Sequence, residues 1–254
     1  MHSLSLTFRK DPFTMMTIEF EWQLPPESPF LAQLKNKNLR VEERLEALAN
    51  LIKSEEYLET FYKLLPLFEA TEETHPSILA GLALALGEWG SEIAVEALIK
   101  QYQAETTSVE QQAFCLQGLA RTQHEKALPV VVGALASSSN HLFSTAAEQL
   151  KQFGVIAIPA LCEVLETGEP DAQCVAVWNL GELKAKPALG AILIYLNRED
   201  AHVDVSALCI WALGRLGEAS IEVMEAVNKA LLHAEPEVRV RAKAAKQKLI
   251  PNMN

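Results

Sequence analysis

A single leucine column, Leu86, Leu119, Leu150, Leu180 and Leu213, recurs at separations of 33, 31, 30 and 33 residues and constrains this chain more than any other feature. It appears when "LALALGEWG", "CLQGLARTQ", "AAEQLKQFG", "VAVWNLGEL" and "CIWALGRLG" are laid over one another. A second block follows each of these without a gap: "AVEALIKQY", "ALPVVVGAL", "AIPALCEVL", "ALGAILIYL" and "VMEAVNKAL". Its first column is Ala94, Ala127, Ala157, Ala188 and Val223; its fifth is Leu98, Val131, Leu161, Ile192 and Val227; its ninth is Tyr102, Leu135, Leu165, Leu196 and Leu231. Apolar residues at i, i+4 and i+8 share one face of an α-helix, so each repeat is predicted to be a pair of helices.

The punctuation agrees. Gly90, Gly154 and Gly217 stand four residues after the leucine, where a helix end needs the left-handed conformation, and Gln123 and Lys184 occupy the same place in the other repeats. Pro129 and Pro159 fall in the first turn of the second helix, where a missing N–H costs little. Short junctions such as "AETTSVEQ" and "NREDAHVD" carry cap-forming Ser, Thr, Asp and Asn. A helical pair of this length cannot bury its apolar face alone, so stacking is required, and the predicted fold is an all-α solenoid of helix pairs.

Residues 37–254 are expected to form this single repeat domain, with "RLEALANLI" and "YLETFYKLLPLF" as a divergent first repeat and "EVRVRAKAAKQKL" as a closing helix. Residues 1–36, with four prolines and scattered aromatics, match none of the repeats and are expected to be a poorly ordered or loosely docked leader, with Met15 or Met16 as alternative starts.

Composition narrows the partners. A formal charge of -11, from 33 acidic and 22 basic residues, opposes sequence-independent nucleic-acid binding, which runs on phosphate neutralisation. No apolar run is long enough for a membrane span, so a soluble, cytoplasmic protein is expected. Cys115, Cys162, Cys174 and Cys209 show no CxxC pair and no histidine at zinc spacing, and no metal site is expected. Cys115 and Cys209 share one column three repeats apart, too far for a disulfide, and read as small core residues. His75, His141, His202 and His233 sit at repeat junctions, and no triad, carboxylate pair or phosphate-cradling loop nominates a catalytic residue.

Against this background "ALGEWG", "VWNLGEL", "IWALGRLG", "IPALCEVL" and "EPEVRVRA" resemble HEAT-like repeats of the phycobilisome-lyase type, over about residues 40 to 249. The resemblance implies a factor that holds a phycobiliprotein subunit, and a linear tetrapyrrole such as phycocyanobilin as the transferred ligand. It also implies a second HEAT-like subunit as companion. Other members detach the pigment, and many simply bind proteins, so the same resemblance allows a non-enzymatic scaffold or assembly factor with a protein partner on its concave surface. HEAT-like DNA-repair glycosylases present a basic clamp instead, which an acidic chain does not match.

Candidate partner or ligand residues fall in three groups. Trp178 and Trp211 share a column two before the leucine in adjacent repeats, so stacking brings them together either as an aromatic platform or as packing between repeats. Ile194 is apolar where the other repeats have Lys100, Gly133, Glu163 and Lys229, so Leu193, Ile194 and Tyr195 make one second helix apolar across three successive columns, which reads either as a greasy docking patch on the inner surface or as ordinary burial. Arg239 and Arg241, within the basic last helix, and Arg198 and Arg215 are candidates for an acidic protein or for bilin propionates; the helix dipole also explains cations at that end.

Overall fold

The computed structural model describes residues 28–54, 57–69 and 75–250. Its helices are α1 (Pro29–Lys35), α2 (Val41–Ser54), α3 (Tyr57–Glu69), α4 (Pro76–Trp89), α5 (Glu92–Gln103), α6 (Val109–Thr122) and α7 (Leu128–Gly133), then α8 (Asn140–Gln149), α9 (Ile158–Thr167), α10 (Pro170–Glu182), α11 (Leu189–Leu196), α12 (Val203–Leu216), α13 (Ile221–Ala230) and α14 (Pro236–Leu249). Among the described residues there is no strand. From α4 onward the even-numbered helices are the first helices of the repeats and the odd-numbered ones the second, and together they form an α-solenoid.

Leu86, Leu119, Leu150, Leu180 and Leu213 are all fully buried, as are Ala94, Ala127, Ala157, Ala188 and Val223 of the second helices. The leucine column is thus the axis of the core, and the alanines let each second helix close against it. Every residue four after the leucine has a positive φ: Gly90 at 59°, Gly154 at 54° and Gly217 at 72°, but also Gln123 at 50° and Lys184 at 49°. Position in the repeat therefore imposes the left-handed turn even where the side chain disfavours it. Ser91, Ser108 and Ser220 accept hydrogen bonds from the backbone of the first helical turn, Ser108 within a complete capping box with Gln111.

The second helices are not uniform: α7 runs on as a 3-10 turn over Ala134–Ala136, α11 is preceded by one over Lys186–Ala188, and α8 is followed by a longer one over Leu150–Ala157. Pro187 lies inside the second of these, and Gly154, with ψ -133°, breaks the third. In addition, α1 lies within the expected leader yet buries Leu31 and Leu34 and packs on α2, where the Arg44 Nε donates to the Leu34 carbonyl at 2.8 Å. The rest of that leader, residues 1–27, lies outside the described residues.

The first helices set the spacing of the stack. At α4–α6 and at α12–α14 the close approach is made through the residue after one helix's leucine and the residue one before the same column of the next helix, whereas at α6–α8 these places hold Ala120 and Gln149. Gly87 meets Gly118, where an added Cβ would lie 2.4 Å from the facing carbonyl oxygen, and Gly214 meets Ala245, where it would lie 2.9 Å from the facing Cα. Only small residues permit such approach. At the junction of α8 and α10 these places hold Lys151 and Asn179, and the two helices barely touch, unlike every other neighbouring pair of first helices from α4 to α14. Asn179 is buried and spends its Nδ2 on the Val175 carbonyl at 2.9 Å. The first-helix layer is therefore two stacks, α4–α6–α8 and α10–α12–α14, bridged by α9.

Candidate partner-binding surface

The open edge of the second stack carries an aromatic ledge. Trp178 on α10 and Trp211 on α12 lie face to face, ring centroids 4.7 Å apart and planes 4° from parallel. The stack depends on a neighbouring vacancy in the sequence: Gly181 has no side chain, and the six-membered ring of Trp211 fills that place, 2.3 Å from where a Cβ would stand. The Arg215 guanidinium, one turn further along α12, lies over Trp211 at 5.9 Å from the ring centroid. Glu182 of α10 holds it at 3.2 Å. The same column, two after the leucine, pairs Glu88 with Arg121 between α4 and α6, so the ion pair recurs in the repeat.

Trp178 ends this stack. Behind it, the equivalent position on α8 is Glu148, and α8 stands away from α10, so 49% of Trp178 stays exposed. An indole held rigidly by its neighbour and left half in water presents apolar area at little entropic cost on binding, which is the property that enriches tryptophan at interfaces.

The other candidates are placed differently. Of Leu193, Ile194 and Tyr195, only Ile194 is surface, at 70% exposure; Leu193 is half-buried and Tyr195 is 3% exposed. The Tyr195 hydroxyl donates to Gln173 Oε1 at 3.0 Å and accepts from the His202 N–H at 3.1 Å, so it ties α10, α11 and α12 together. The greasy patch is one isoleucine, and one exposed isoleucine needs no partner to explain it. Arg198 is engaged with Asp200 at 3.1 Å and with the Glu166 carbonyl at 2.8 Å. Arg239 binds the carbonyls of His233 and Ala234, and Arg241 pairs with Glu237 at 2.8 Å one turn earlier. Arg198 and Arg239 thus reach carbonyls near helix ends, and Arg241 pairs within its own helix. The structure thus brings together Trp178, Trp211 and Arg215, and does not bring Leu193, Ile194 and Tyr195, or Arg198, Arg239 and Arg241, to that ledge. Gly181 and Glu182, which hold the ledge, become visible only when the columns beside the leucine are read across repeats.

The cysteines are consistent with packing. All four are free thiols; Cys115 and Cys209 are buried, and burial pushes the Cys115 thiol up to about 12 and raises Cys209, Cys162 and Cys174 as well. Raised thiols are poor nucleophiles at neutral pH. Among the described residues no group of three His, Cys, Asp or Glu side chains is placed to hold a metal ion, and no helix is long and apolar enough to cross a membrane.

No family model and no curated protein matches the chain. Solved structures do. An archaeal HEAT-like repeats protein from Thermococcus onnurineus NA1 aligns with TM-score 0.53 at 12% identity, covering 89% of this chain and 97% of that one. The fold is a HEAT-like α-solenoid. The complex of CpcE and CpcF of phycocyanin lyase from Nostoc sp. PCC7120 aligns with TM-score 0.43 at 19% identity over 95% of this chain and 99% of that chain. Human deoxyhypusine hydroxylase aligns with TM-score 0.42 at 15% identity over 87% and 95%. At 12% identity the likeness to the archaeal protein concerns the fold alone, and function is argued from the surface.

Proposed function

We propose that this HEAT-like solenoid is a binding scaffold that docks a protein partner on its first-helix layer, centred on the Trp178–Trp211 ledge. The observation that carries the reading is an indole 49% exposed yet held parallel to its neighbour at 4.7 Å. The acidic balance of the chain favours a partner whose contacting rim is basic or neutral. A photo-crosslinking residue at position 178, expressed in the source cell, is expected to give one discrete protein adduct, which Trp211→Ala weakens by loosening the ledge. Absence of an adduct at 178, or equal adducts from position 194, would sink the reading.

A second reading is favoured by the flatness of the same ledge. Two parallel indoles offer a stacking face to a conjugated ring system, and the sequence resembles phycobilin lyase-type factors, so the ligand held there would be a linear tetrapyrrole destined for, or taken from, a phycobiliprotein cysteine. The chain would contribute proximity and orientation. Titration with phycocyanobilin is then expected to give a red-shifted, sharpened absorption band that Trp178→Ala abolishes. If no band forms with or without an apo-phycobiliprotein subunit, the pigment reading fails and the scaffold reading stands.

A further inference from the structure

One position of the repeat, seven before the leucine, closes the end of the preceding second helix. Gln112 donates its Nε2 to the Tyr102 carbonyl at 3.0 Å, and Gln173 donates to the Leu165 carbonyl, also at 3.0 Å. Arg239 makes a related bond just beyond α13, donating to the His233 carbonyl at 2.7 Å, two residues past the equivalent Leu231. In α8 the place is taken by the half-buried ring of Phe143. In α12 it is Ser206, too short to reach. The residue corresponding to Tyr102 and Leu165 is Leu196, and its carbonyl accepts no hydrogen bond among the described residues.

A cavity of about 220 Å³ occupies the place of the missing side chain, lined by Leu196, Ala201, Ser206, Ile210, Ala230 and Val238 among others. Leu196, Ala201, Ile210, Ala226, Ala230 and Val238 give it an apolar side suited to the methylene stem of a side chain, and Asn197, Arg198, Glu199, Lys229 and His233 also line it. Among its polar groups are the Leu196 carbonyl, an acceptor, and the hydroxyl of Ser206, a residue 7% exposed whose side chain makes no hydrogen bond among the described residues. Its charged lining is of both signs, Arg198 and Lys229 with Glu199, and Asp200 holds the Arg198 charge, so neither a cation nor an anion is favoured. A neutral donor with an apolar stem satisfies both acceptors without adding charge.

We infer that this cavity is a subsite for the primary carboxamide of a glutamine side chain from a protein partner, which completes the helix end as Gln112 and Gln173 do internally. The head donates to the Leu196 carbonyl and exchanges a hydrogen bond with the Ser206 hydroxyl, while the stem lies against Ile210 and Val238. The site is separate from the tryptophan ledge and does not depend on it.

The test is a titration of the full chain, followed by amide resonances of residues 196–201 and 206, with acetyl-Ala-Gln-Ala-N-methylamide and with its glutamate counterpart. The glutamine peptide is expected to shift these resonances and saturate in the millimolar range, and the glutamate peptide to leave them in place. Ser206→Gln fills the cavity from within; it is expected to abolish the shifts and to raise Tm by about 2–4 °C as the cap forms. Ser206→Ala, which keeps the cavity, is expected to weaken binding by about three- to tenfold. Trp178→Ala leaves the titration unchanged. No shift with the glutamine peptide, equal shifts with the glutamate peptide, or unaltered binding in Ser206→Ala would each overturn the assignment.

Discussion

Gly181→Ala tests whether the ledge is built as described, because two opposing effects of known size act at one atom. In an ordinary helix interior, alanine in place of glycine gains about 1 kcal/mol of intrinsic propensity. Here the new Cβ would stand 2.3 Å from Cζ3 and 2.9 Å from Cη2 of Trp211, distances that van der Waals repulsion forbids. The ring must move, giving up a stack on Trp178 worth about 0.5–1.5 kcal/mol, and overpacking typically costs about 1–3 kcal/mol. The net expectation is destabilisation by about 1–2 kcal/mol. In a Trp211→Ala background the obstacle is gone, and the same substitution is expected to stabilise by up to about 1 kcal/mol. The coupling of about 2–3 kcal/mol is far above the scatter of independent sites and is read from urea unfolding of the four proteins by far-ultraviolet circular dichroism. An equal effect of Gly181→Ala in both backgrounds, in either direction, would refute the geometry of the stack.

Other outcomes follow from the same reasoning. Gln123→Gly, at a φ of 50°, relieves a left-handed residue and is expected to stabilise by about 0.5–1 kcal/mol in thermal or urea unfolding. Tyr195→Phe strips the hydroxyl from the buried bridge between Gln173 and His202, so it is expected to cost about 1–3 kcal/mol while leaving any binding at Trp178 unchanged; a loss of binding with intact stability would return Tyr195 to the site. The Cys115 thiol, ordinarily near 9.0, is pushed up to about 12, so from about pH 9 to 12 the unfolded chain releases a proton that the folded chain keeps. Stability should therefore fall by about 1.4 kcal/mol per pH unit over that window from this thiol, with Cys209 adding in the same direction, and Cys115→Ala should flatten the decline. Replacing Lys151 by Gly together with Asn179 by Ala converts the open junction to the small pair found elsewhere; hydrogen exchange in α8 and over 150–157 is expected to slow several-fold, and unchanged exchange would remove the steric account of the junction.

How much was legible in the sequence depended on whether a residue's neighbours were set by the repeat. The leucine column, the second-helix face and the left-handed turn follow from self-comparison because each repeat meets a copy of itself. For the same reason Gln123 and Lys184 were found at positive φ despite their side chains. The short helix α1 was not legible, since it lies outside the repeat and its two buried leucines, Leu31 and Leu34, pack on α2 rather than on a copy of the repeat. Tyr195 was ambiguous because a tyrosine has an apolar body and a polar tip; the deciding partner, Gln173, sits 22 residues away in a column that looks like an ordinary solvent-side place. The two tryptophans were legible as neighbours, but their exposure was not. It comes from a different pair of columns, Lys151 and Asn179, where glycine or alanine would have drawn α8 onto α10. A stacking column explains why Trp211 is covered, and a break in another column explains why Trp178 is not. In a solenoid, departures from the repeat are therefore the places to look for function, and they must be read in facing pairs, because one large residue opens a junction only if its partner does not make room.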